Sequence, residues 1–98
     1  MLDKLSAADF LPHLNNEFRI YFDPSSPLAV ELIEVSEKSS TTSNAERLPF
    51  SIVFRGPKNT DYQQGTYKVN HKDVGEMLLF LVPIGPDDEG LCYEAVFN

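Results

Sequence analysis

The chain has no tryptophan, a single cysteine and no run of basic residues. A lone cysteine, Cys92, excludes an intramolecular disulfide and fits a reducing, cytoplasmic setting. Eight Lys and Arg against fifteen Asp and Glu leave a formal net charge of −7. Phosphate contacts need cations, so charge argues against nucleic acid and an anionic membrane surface as partners. No apolar stretch reaches the roughly 18 residues of a membrane-spanning helix. The opening MLDKLSAADF carries acidic residues and no apolar core, so no signal peptide is expected.

What is present is ordinary for a globular protein: 98 residues, 42% hydrophobic and 23% charged. That length means one domain, residues 1–98, with one modest core. A short helix is expected over residues 6–14, with Ser6 as its N-cap and Asp9 favoured in the first turn. Leu5, Phe10 and Leu14 form its apolar stripe, Pro12 makes its second half irregular, and Asn15 and Asn16 stop it.

From residue 17 to residue 98 the apolar period is two, and this is read as a β domain. EFRIYF, LAVELIEV, FSIVF, TYKVN, MLLFLVPI and LCYEAVF make six strands. The apolar parity changes within LAVELIEV, which predicts a bulge near Leu32. MLLFLVPI is apolar on both faces and reads as a central strand buried on both sides. Gly56-Pro57 and Gly85-Pro86 read as strand stops. DPSSP is turn chemistry, and residues 36–47 read as a mobile loop because they offer almost no apolar anchor. With no crossover helix between strands, the pairings should be mostly antiparallel. The fold expected is all-β: a six-stranded, mostly antiparallel barrel or compact sandwich, with the short N-terminal helix closing one end. By alternation Phe18, Phe22, Phe50, Phe54, Phe80 and Phe97 belong to the core.

Catalytic patterns are missing. His13 and His71 lie far apart, with no Cys or His at metal-ligand spacing, and His71 reads as part of a solvated turn. Asp87 to Glu89 lack the alternating oxygens of a calcium loop and read as a solvated hairpin tip. Cys92 sits in an apolar strand and reads as a packed, inert thiol. There is neither a G-x-S-x-G elbow nor a phosphate-binding loop. An enzyme is therefore not expected, nor any cofactor or metal. An enzyme would need a cleft joining residues such as Arg55, Tyr67, His71 and Glu94.

FSIVFRGP, QGTYKVNH, GEMLLFLVPIGPD and YEAVFN, in that order, resemble a family of small bacterial all-β domains with no assigned activity. The resemblance covers roughly residues 7 to 98. It implies a small stand-alone protein or module, some members of which accompany phage-tail-like proteins, and it transfers no catalytic residue.

The function expected is a non-enzymatic interaction or structural module with a protein partner. The alternative is a small barrel that binds an apolar or acidic ligand. Arg55, Tyr67 and Glu94 are the candidate binding or structural anchors. Arg55 shares the outer parity of its strand with Ser51 and Val53, and parity nominates Glu94 and Glu31 as its carboxylate partners.

Overall fold

Alternation dictates the first strand. In β1 (Glu17–Asp23), Phe18 and Ile20 are buried while Glu17 and Arg19 are exposed. β2 (Ser26–Glu37) returns antiparallel to it through the Asp23 turn, where Asp23 accepts the Ser25 N–H at 3.1 Å. β3 (Phe50–Gly56), β4 (Gly65–His71), β5 (Gly75–Pro86) and β6 (Leu91–Phe97) complete the set. The computed structural model describes residues 5–37, 49–58 and 62–97. The strands run in the order β1-β2-β3-β6-β5-β4, all neighbours antiparallel, and β4 pairs back to β1. The sheet is therefore a closed barrel, which decides between barrel and sandwich. No helix among the described residues is long and apolar enough to cross a membrane.

The interior holds one side chain from every second position. Phe18, Ile20, Leu32, Phe50, Ile52, Phe54, Val69, Leu81 and Tyr93 are fully buried there. The expected bulge is present: the β2–β3 register shifts between Leu32 and Glu34, so Leu32 and Val35 can face the same core. A second shift lies between Pro83 and Gly85 in β5. Gly85 takes φ 109° there, and the strand runs on through Pro86. Gly85-Pro86 is thus a bulged strand end still paired to Cys92 and Leu91, not a stop.

Both ends of the barrel are sealed. At one, helix α1 (Ala7–Phe10) and a 3₁₀ turn (Leu11–His13) precede Asn15, which takes φ 70°. Pro12 falls in the 3₁₀ turn, as expected of a residue that breaks α-helical bonding. Ser6 is the N-cap, as expected, and shares a capping box with Asp9, which accepts from the Ser6 N–H at 2.8 Å and its hydroxyl at 3.3 Å. Phe10 is fully buried against the rings of Phe18, Phe50 and Phe97 at 5.6–6.4 Å. At the other end the β3-to-β4 connection must cross, because those strands are not neighbours. Tyr62 in that crossing stacks on Phe22 at 4.2 Å and donates its N–H to the Tyr93 hydroxyl at 3.3 Å.

Two expectations change. Ser36 and Glu37 belong to β2, and residues 38–47 of the expected mobile loop lie outside the described residues. β5 is not buried on both faces. Met77, Leu79 and Leu81 point inward, but Leu78 is 61% and Phe80 53% exposed. In a barrel one face of each strand has core to meet, and the other meets solvent unless something covers it.

The two faces of β5 should therefore respond differently. Leu81→Ala is expected to cost about 2–5 kcal/mol, the range for a fully buried leucine. Phe80→Thr should change stability by less than about 1 kcal/mol. Urea midpoints of the two variants check this, and near-equal losses would contradict the inside–outside assignment.

Candidate functional site

Arg55 ends β3 beside a hairpin that parity along the strands did not nominate. Its Nε donates to Asp87 Oδ2 at 2.8 Å, and its Nη2 donates to the same oxygen at 2.5 Å. Glu89 lies 3.0 Å from Nη1, and Glu31, directly opposite on β2, lies at 3.9 Å. Glu31 was nominated by parity. Glu94 was also nominated, and it is not a partner: it faces Val53 and Val82, and no ion pair includes it among the described residues.

Asp87, Asp88 and Glu89 are exposed at the β5–β6 hairpin tip, as expected, but Asp87 also has structural partners that the sequence did not show. Its Oδ1 accepts the N–H groups of Glu89 at 2.8 Å and Gly90 at 2.9 Å. Its own N–H donates to the Gly90 carbonyl at 2.8 Å. One carboxylate thus shapes the β5–β6 turn and ties it to β3. Gly90 must lack a side chain, since a Cβ there would collide with the Gly56 carbonyl oxygen. The Arg55 guanidinium, followed by the two backbone donors, holds the Asp87 carboxyl well below the usual carboxylate range. Arg55 is consequently enclosed by carboxylates of its own chain.

Tyr67 serves the aromatic end. Its hydroxyl donates to the Gln63 carbonyl at 2.8 Å, and its ring meets Phe22 edge-on at 4.6 Å. Arg55, Tyr67, His71 and Glu94 are joined by no hydrogen bond or ion pair among the described residues.

His71 is the residue that sequence reasoning missed. It closes β4 and is 4% exposed, not part of a solvated turn. Its ring lies 4.4 Å from both the Phe18 and the His13 rings. Nδ1 accepts the N–H groups of Asp73 at 3.0 Å and Val74 at 3.2 Å, so the proton of the neutral ring sits on Nε2. Burial lowers its pKa, and neighbouring His13 lowers it further.

The fold thus brings together two histidines that are far apart in sequence. Ligand atoms of His13, His71 and Asp73 lie within 4.8 Å of one another. Tetrahedral zinc would hold them about 3.4 Å apart. Binding at His71 Nε2 would also move the ring proton onto Nδ1, against the two backbone donors already there. Zinc could be held there only if His71 gave up those two backbone bonds.

Beside His71, a groove of about 480 Å³ is lined by Asn16, Glu17, Arg19, Asn70, His71 and Lys72. The other distinctive surface is the outer face of β5. Leu78 and Phe80 stand opposite Lys68 and Thr66 of β4. Continuing the Val82–Glu94 register sets Val96, 49% exposed, beside Phe80.

If the Arg55 clamp is structural, Arg55→Lys and Arg55→Met both lower the thermal midpoint, methionine more, because lysine keeps the charge and loses the planar fork. Stability carried by a carboxyl of depressed pKa is present above its unfolded value, 3.8, and is lost as pH falls below it. The wild type should lose stability steeply in acid and Arg55→Met less so. Unchanged midpoints in both variants would remove the structural role.

His71 acts at higher pH. Its folded pKa lies below the ordinary imidazole value of 6.5, so the unfolded chain takes up a proton first and stability falls as pH drops through that value. His71→Asn keeps an acceptor and cannot titrate. Urea midpoints followed from about pH 8 to about pH 5 should fall more for the wild type than for the variant.

No curated protein and no solved structure matches the chain. A family model described as a domain of unknown function, DUF6916, matches residues 5–97. With nearly the whole chain covered, the protein belongs to the DUF6916 family of domains of unknown function.

Proposed function

We propose that the domain is a non-enzymatic interaction module that docks a protein partner on the outer face of β5. The observation that carries this reading is the pair Leu78 and Phe80, each more than half exposed on one strand face, with Val96 beside them. Adjacent large apolar groups left in water are a cost unless a partner covers them. Tyrosines on the same barrel side, such as Tyr21, suit an interface rim.

The partner chemistry follows from the rim. Lys68 is held 4.2 Å over the Tyr21 ring. Glu76, on the exposed parity of β5, and Glu94 on β6 flank the apolar stripe, and the chain as a whole carries −7. The occupant that fits is an apolar protein surface with a basic border. A closed barrel presents no free strand edge, so recognition is by side chains and not by strand addition. A bacterial, phage-tail-like assembly, the setting implied by the sequence resemblance, is one in which a small module of this kind would bridge larger chains.

The alternative, a ligand inside the barrel, has less support. The interior positions are taken by the aromatic and aliphatic side chains of the core.

A photo-crosslinking residue placed at position 80 tests the proposal in cells that naturally express the chain, with position 29 on another exposed strand as control. One discrete protein adduct is expected from position 80 and none from position 29, and Leu78→Lys should abolish it. The purified partner should then bind the wild type at least about tenfold more tightly than Leu78→Lys, or about 1.4 kcal/mol. Adducts of equal pattern from both positions, or adducts only to a second copy of the chain, would overturn it.

A further inference from the structure

Five of the six residues lining the groove beside His71 carry hydrogen-bond donors, and the sixth, Glu17, is a carboxylate. Its volume, about 480 Å³, falls within the range of small-molecule sites. His71 contributes Nε2–H, because its Nδ1 is occupied by the Asp73 and Val74 N–H groups. That Nε2–H has no partner among the described residues. No fully buried side-chain nitrogen or oxygen there lacks one, so this atom is the part of a 4%-exposed histidine that opens to the groove.

Asn16 contributes its amide N–H groups, since its Oδ1 is engaged by His13 Nδ1 at 3.2 Å. Arg19 and Asn70 are brought side by side by the pairing that closes the barrel. Lys72 adds an exposed ammonium from the turn after β4. Two cations and one carboxylate, Glu17, therefore line a groove on a protein whose net charge is −7. Arg19 uses its Nε on Glu17 at 3.2 Å and keeps its terminal nitrogens for another acceptor.

We infer that this groove is a binding site for a small oxyanion, a phosphate or carboxylate group held by His71 Nε2–H, Arg19, Lys72 and the Asn16 amide. A donor-lined pocket with a guanidinium and an ammonium matches an acceptor-only ligand and repels a cation. Glu17 is the internal competitor: it occupies one edge of the guanidinium in the absence of ligand. The site is separate from the outer face of β5 and does not depend on the docking role proposed for that face.

The experiment is a ¹⁵N-resolved NMR titration of the full chain with two probes, inorganic phosphate and succinate, run separately at constant ionic strength. Saturable shifts are expected at the amides of Asn16, Asn70, His71 and Lys72 and at the His71 ring nitrogens, and the probe that binds more tightly identifies the oxyanion class. Arg19→Gln and Lys72→Gln alter exposed side chains, and each should weaken binding at least about fivefold. Glu17→Gln should tighten it severalfold by releasing Arg19. The native dispersion of each spectrum reports folding in the same measurement. Absence of saturation with both probes overturns the inference, as does binding that the Arg19 and Lys72 variants leave unchanged.

Discussion

Closure of the sheet is the constraint on which the rest of the molecule depends. β1 pairs with β2 on one side and with β4 on the other, and that second pairing turns six strands into a ring. A ring satisfies backbone donors and acceptors around the whole sheet and removes the exposed edges an open sheet would have to protect. It also defines an interior that side chains must fill and two ends that must be covered. The helix with Phe10 covers one end. Tyr62, just ahead of β4, covers the other by stacking on Phe22.

Closure fills the interior with side chains and leaves the outer strand faces and the barrel rim as the surface that meets solvent. β5 shows the consequence most plainly: its inner residues are core, while its outer Leu78 and Phe80 have no sheet or helix above them among the described residues. The groove near His71 arises from the same cause, since the β1–β4 seam sets Arg19 against Asn70 and ends β4 where the helical segment supplies His13 and Asn16.

Asp87 and His71 both take nearby backbone partners: Asp87 accepts two N–H groups of its own turn as well as Arg55, and His71 accepts two N–H groups of the turn that follows it. This leaves Arg55 committed to its own chain, whereas His71 keeps one donor directed to the outside.

Local periodicity carries most of the fold. The alternation of Phe18 with Arg19, of Val69 with Asn70, and the parity change near Leu32 determine strands, inward faces and the bulge, because a two-residue period has only two faces to assign. Pro12 and Asn15 likewise determine where the helical segment loses regularity and where it ends. What the sequence could not determine is which strands meet. Glu31 was legible as a neighbour of Arg55 because it lies across a strand pair, but Asp87 lies in a hairpin that reaches Arg55 only once β3 and β6 pair. The burial of His71 beside His13, and the exposure of Leu78 and Phe80 in an unbroken apolar run, were decided by closure as well. Outside β5 the chain determined by itself which face of each strand is the more apolar; in β5, apolar on both faces, the tertiary structure alone decided which face meets core and which meets water, because burial is a property of pairing across the barrel and not of the strand.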